Sequence, residues 1–139
     1  MALIDGVITM REIEFRGLRP NGEFVYGYLT KDLEKTTAYY DEYSYRIHWH
    51  PETGGEANAP VKNGTIGQYT GIKDCAGAKI FDGDIVIIID DELERFEELK
   101  YLVEWSEDAK WIVRHSATEF YDVGDFSLMV IGNIHEVQS

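Results

Sequence analysis

Three groups of residues have types and spacings that could do chemistry. His48 and His50 stand two apart. On a β-strand that spacing puts both imidazoles on one face, about 7 Å apart. There they could ligate a divalent metal, with Asp41, Glu42 or His115 as a third donor. Spacing fixes no third ligand, and the single cysteine, Cys75, offers nothing toward a tetrahedral sulfur site. The plainer reading is two surface histidines at a strand end, so no metal and no other cofactor is expected. Asp82 and Asp84 flank Gly83, like the carboxylate pairs that divide acid and base roles. Asp-Gly-Asp is also what a turn entering a strand looks like, with carboxylates accepting from local amides, and that reading is the stronger. Gln68, Tyr69 and Thr70 form a polar and aromatic group with Asp74 nearby in sequence. If exposed, these three are the candidates for ligand binding. The sequence holds neither a GxSxG nucleophile elbow nor a phosphate-cradling glycine loop, and no catalytic residue is assigned.

The elements that must position these groups read as strands. Ile13 and Phe15 alternate with Glu12, Glu14 and Arg16, the period of a half-buried strand. Asn21-Gly22 is a strong hairpin signal, and Phe24 to Thr30 is the return strand, where Gly27 marks a bulge or a close backbone approach. From Tyr39 to Trp49 one parity carries Tyr43, Tyr45, Ile47 and Trp49, and the other Glu42, Arg46 and His48. That predicts a long strand with an aromatic, core-facing side and a polar side. His50 to Gly64 is rich in Gly, Pro and Asn and reads as a surface loop.

Asp74-Cys75-Ala76-Gly77 has Asp at the first and Gly at the fourth position of a turn, which leaves Cys75 exposed. Ile85 to Ile89 is a short β-branched run suited to a strand buried on both faces. Asp90 to Lys100 reads as one or two helical turns, with Leu93 and Phe96 sharing a face. Leu99–Trp105 and Lys110–His115 form a hairpin about the turn Ser106–Ala109. Phe120–Gly124 reads as irregular, and strands over Leu128–Ile131 and Ile134–Val137 close the fold.

The 139 residues suit one domain. Hydrophobic content of 44%, nine tyrosines and three tryptophans argue for a folded, β-rich chain. A formal net charge of −13 repels phosphates and anionic lipid, so no direct nucleic-acid or membrane partner is expected. One cysteine excludes an intramolecular disulfide. No apolar run approaches the length of a membrane span and no signal peptide is evident, which makes the cytoplasm the expected compartment.

The chain resembles the YopX-like proteins of phages and prophages. The matching residues are Met10-Arg11-Glu12-Ile13 with Phe15-Arg16-Gly17, then Gly22 to Leu29, Gly67-Gln68-Tyr69-Thr70-Gly71, Lys73-Asp74, Gly77 and Ile80 to Val86. Val103-Glu104-Trp105 and Ile131-Gly132-Asn133-Ile134 with Glu136 complete the series. The resemblance covers nearly all of the chain from Met10. It implies a mainly β fold, a pseudo-barrel or sandwich with at most short helices. It sets residues 1–9 apart as an N-terminal extension, a loose end or an added edge strand, ahead of a single domain over 10–139. It carries no catalytic residues.

The expectation is therefore a phage- or prophage-derived accessory protein that acts through protein–protein contacts as a homo-oligomer in the bacterial cytoplasm. One alternative is an acidic mimic of nucleic acid that inhibits a basic host protein, suggested by the carboxylate run from Asp90 to Glu98. Another is an uncharacterised enzyme, metal-dependent through His48 and His50 or acid–base through Asp82 and Asp84.

Overall fold

Alternating apolar residues and turn-forming Asn, Asp and Gly lay the chain out as short antiparallel strands. The computed structural model describes residues 2–4, 7–9, 12–31, 42–89 and 99–136. The start of the strand expected from Tyr39 and nearly all of the helix expected over Asp90–Lys100 lie outside them. The described contacts divide the chain into two compact units, Met1–Gly71 and Ile72–Ser139.

In the first unit, β1 (Ala2–Ile4) and β2 (Val7–Thr9) pair only with each other among the described residues, as a two-stranded sheet. The start of the chain is thus a hairpin of its own, not an added edge strand. The main sheet has six strands in the order β6-β5-β4-β3-β7-β8, with β8 spanning Lys79–Phe81. Its other strands are β3 (Phe15–Leu18), β4 (Phe24–Lys31), β5 (Tyr45–Trp49), β6 (Ala57–Val61) and β7 (Gly67–Lys73), the last running into the second unit. The β3–β4 hairpin turns where Asn21-Gly22 predicts: Gly22 has φ +85° and its N–H donates to the Arg19 carbonyl at 2.9 Å. Gly27 allows a close approach, since a Cβ there would lie 1.9 Å from the His48 carbonyl oxygen.

β6 corrects the surface loop expected over His50–Gly64. Its small residues and Pro60 hide a strand whose Ala59 and Val61 are buried. Proline is tolerated because β6 ends the sheet and needs no ladder bond outward. The pleat then sorts the side chains. Leu29, Ile47 and Ala59 face one another across three strands and join a core of Val25, Ile47 and Val61. Tyr45 and Trp49 pack against that core, as the aromatic parity predicts. Tyr28, His48 and Asn58 face one another on the opposite side.

The second unit is built on a five-stranded antiparallel sheet of order β12-β11-β10-β9-β13. Its strands are β9 (Asp84–Ile89), β10 (Tyr101–Trp105), β11 (Trp111–Arg114), β12 (Phe120–Asp122) and β13 (Ser127–Asn133), and β8 (Lys79–Phe81) precedes them. β9 lies inside the sheet, with Val86 and its neighbour Ile87 both buried on opposite faces, as the β-branched run predicts. Ile80, Val86, Tyr101, Val103, Val113, Val123 and Leu128 make its core. Two expectations fail here. Phe120–Asp122 is a strand, because Tyr121 pairs with Val113 and packs inward. The first closing strand is longer than expected, as β13, whose register slips between Val130 and Gly132 to hold it on β9. Residues 134–136, expected to begin a second strand, are instead a turn in which the Glu136 amide donates to the Asn133 carbonyl. Neither main sheet closes into a barrel among the described residues.

Candidate functional site

The outward face of β4 and β5 gathers a hydroxyl, an imidazole and a carboxylate. Even-numbered residues of both strands share that face, so Tyr28 and Thr30 of β4 meet Arg46 and His48 of β5. Glu56, from the turn that leads into β6, closes the group. His48 Nδ1 lies 3.1 Å from Glu56 Oε1, and His48 Nε2 lies 2.8 Å from Thr30 Oγ1. Tyr28 donates its hydroxyl to the same Glu56 oxygen at 2.6 Å and stacks its ring on the imidazole, centroids 5.0 Å apart at 10°.

Charge fixes the proton positions. The Tyr28 hydroxyl and then His48 hold the Glu56 carboxyl below its usual range, with the charges of His48 and His50 adding to this. The bond to Glu56 in turn raises the pKa of Tyr28. An ionised Glu56 can only accept, so in the neutral imidazole Nδ1 carries the proton and Nε2 has the lone pair. Thr30 therefore donates its hydroxyl to His48. The histidine side chain is 19% exposed and that of Glu56 49%.

The residues singled out from sequence fall differently. His48 enters this group, whereas His50 Nδ1 donates to the Gly55 carbonyl at 3.2 Å. His115 belongs to the second unit, where its Nδ1 donates to the Lys100 carbonyl at 3.0 Å. Glu42 is exposed, and Asp41 lies outside the described residues. Among the described residues no three His, Cys, Asp or Glu side chains are placed to hold a metal.

The exposure expected of Gln68, Tyr69 and Thr70 is corrected. Tyr69 and Thr70 are buried and Gln68 is half-buried, because β7 is an interior strand in the ladder order and not a surface segment. Asp84 is 1% exposed and accepts the Phe81 amide at 2.8 Å, while Gly83 turns with φ +90°. Asp82-Gly83-Asp84 is thus a turn, as its sequence suggests.

Glu56 and Thr30 were hidden from sequence reasoning. The available signal was the Gly54-Gly55 pair, both at positive φ, as a hairpin turn between Trp49 and Ala57. Read so, it folds residue 56 back beside residue 48.

Two features of the second unit complete the survey. A cavity of about 100 Å³ is lined by Ile72, Asp74, Cys75, Ile80, Val123 and Phe126 among others. It is small beside ordinary ligand pockets, and the Asp74 carboxylate is committed to backbone amides. Oδ1 accepts from Ala76 and Ala78 at 2.9 and 2.8 Å, and Oδ2 accepts from Val130 at 3.0 Å. Burial opposes ionisation of Asp74, but the amides of Val130, Ala78, Ala76 and Gly77 outweigh it and lower its pKa.

At the β10–β11 turn, Trp105 is 53% exposed and meets Trp111 edge-on at 5.0 Å. Lys110 beside it pairs with Asp122 at 3.0 Å. Its pKa is raised by the hydrogen bond to Asp122 and by the charges of Asp122, Asp108 and Asp125. Lys110 thus has one paired carboxylate, Asp122, and feels two further negative charges, on a hairpin that also carries an exposed indole.

The open antiparallel sheets, the Asp-anchored turn before β8 and the bulged closing strand define an all-β protein class without a helical layer among the described residues. Residues 15–138 match the family model described as YopX protein. The chain belongs to the YopX protein family. Its fold is also similar to that in the crystal structure of protein EF1440 from Enterococcus faecalis, with a TM-score of 0.50 at 17% identity, over 91% of this chain and 95% of that one. No curated protein matches it.

Proposed function

We propose that this YopX-family chain is a phage- or prophage-derived accessory protein of the bacterial cytoplasm that acts by binding a basic protein surface. The observation that carries the reading is the exposed Trp105, packed edge-on against Trp111 on a hairpin whose Lys110 feels the charges of Asp108, Asp122 and Asp125. Tryptophan is the side chain most often responsible for binding energy at protein contacts, and a charged rim steers and selects the partner. Residues 72–139 hold sixteen Asp and Glu against six Lys and Arg, a net −10, whereas residues 1–71 have ten against seven, a net −3. The complementary surface is therefore positive, the kind that nucleic-acid-binding proteins present.

Self-association as a homo-oligomer is the second reading. It is favoured by Ile131 and Ile134, both exposed at the end of β13. Light scattering separates the two, combined with capture from bacterial lysate on wild-type and Trp105→Ser baits. The first reading expects a basic protein held by wild type, released by salt and lost with Trp105→Ser. A defined oligomer that captures nothing selects the second. A monomer that captures nothing ends both.

A further inference from the structure

The group on β4 and β5 has an order of parts that binding does not require. A hydroxyl donates to an imidazole nitrogen, and the other nitrogen donates to a carboxylate, the arrangement that activates a nucleophile on unrelated folds. We propose that Thr30, His48 and Glu56 form a nucleophile–base–carboxylate array that accepts acyl groups from activated carboxylic esters. The donor–acceptor distances of 2.8 and 3.1 Å lie within reach for proton transfer. Tyr28 is a second restraint on both partners of the base: its ring fixes the imidazole plane and its hydroxyl fixes Glu56. Thr30 is exposed, so a carbonyl carbon can reach Oγ1. Arg46 lies opposite Thr30 in the ladder on the same face. Its Nε donates to Asn58 Oδ1 at 2.8 Å, which keeps a positive charge on this face.

The step balances without a co-reactant. Thr30 Oγ1 attacks the ester carbonyl carbon as its proton passes to His48 Nε2. The tetrahedral adduct then expels the alcohol or phenol oxygen, which takes that proton from His48. An acyl ester remains on Thr30, and water removes it by the same sequence, returning the free hydroxyl and a carboxylic acid. His48 is the base and Thr30 the nucleophile; Glu56 and Tyr28 are positioning residues. The titratable and charged groups facing the imidazole are Tyr28, Glu56 and His50, with Arg46 next along β5.

The test is p-nitrophenyl acetate with the intact chain, reading released phenol and, by peptide mass spectrometry, the residue that gains the acetyl group. The expected result is acetyl on Thr30. Release should fall by about 100-fold in both Thr30→Val and His48→Gln, with circular dichroism checking that each variant is folded. Glu56→Gln should lower the rate while Thr30 stays the labelled residue, and Glu56→Asp should restore part of that rate, because a carboxylate again holds the imidazole. Acetyl found only on lysines, on the N-terminus or on His48 overturns the proposal. So does release unchanged in folded Thr30→Val, and if that variant does not fold, the site labelled in wild type decides alone.

Discussion

Glu56 and Asp74 are two carboxylates that each accept several hydrogen bonds, and they differ in who donates them. Asp74 takes backbone amides: Ala76 and Ala78 from its own turn, Val130 from β13. Glu56 takes side chains, Tyr28 and His48, on an exposed face. Both are held below their ordinary range, by opposite kinds of neighbour. Amides cannot gain or lose protons at ordinary pH, so Asp74 can only brace the fold. An imidazole can, so the charge on Glu56 acts on a group able to move a proton. A carboxylate's role follows from its donors more than from its own depressed pKa.

The largest expected effect breaks the platform under Glu56 without touching it. Gly27→Ala puts a methyl into the His48 carbonyl and forces β4 from β5. The cost should be about 3 kcal/mol, read as a fall in the urea midpoint, with loss of the Thr30–His48 bond by NMR. An unchanged midpoint contradicts the close approach. Next comes Asp74→Asn, which keeps the shape but weakens acceptance from three amides. About 2 kcal/mol should be lost at neutral pH.

That difference also sharpens the comparison by pH. A depressed carboxyl adds stability that is fully present above its unfolded pKa and lost as pH falls through its folded one. The gap between wild type and Asp74→Asn should therefore stay open at neutral pH and close only below the ordinary aspartate range. A gap that is constant down to strong acid removes the carboxylate from the account.

A smaller effect is expected at the exposed site. Tyr28→Phe removes the first of the two bonds on Glu56, so its carboxyl should titrate closer to the ordinary glutamate range by NMR, with little change in unfolding. No movement there means that the phenol does not hold the carboxylate. The smallest concerns Lys110→Gln, which frees Asp122 at the surface. Its stability change should be near the limit of measurement and vanish in high salt.

Much of the second unit was legible because local chemistry there agrees with the fold. Asp74 and Gly77 announce a turn, and Gly77 has φ +86° as a bulged closure requires. Ile85 to Ile89 announces an interior strand by its β-branched run alone. The candidate site was half legible. His48 stands out by its parity against Tyr45, Ile47 and Trp49, but its partners come from other segments, and no spacing along the chain encodes a cross-strand register. Thr30 and Glu56 become neighbours of His48 only when β4 and the Gly54-Gly55 turn are folded against β5. β6 was concealed for a different reason: Ala57, Asn58 and Pro60 have poor strand propensity, and only the pairing of Ala59 with Ile47 makes them a strand. Gln68, Tyr69 and Thr70 misled because polar side chains read as exposed, although an interior strand can bury them when their groups are bonded.

The turn at Asp74 has one more consequence. β13 ends its sheet, and an edge strand with open amides and carbonyls is a template on which another chain can grow into a fibre. Here the Val130 amide is taken by the Asp74 carboxylate, and the Leu128 carbonyl by the Cys75 amide at 2.8 Å. The five-residue turn sits on the edge as a stopper. A chain that unfolds only at this corner would expose sticky edge while keeping its core, so damage to Asp74 should appear as aggregation on storage before it appears as unfolding.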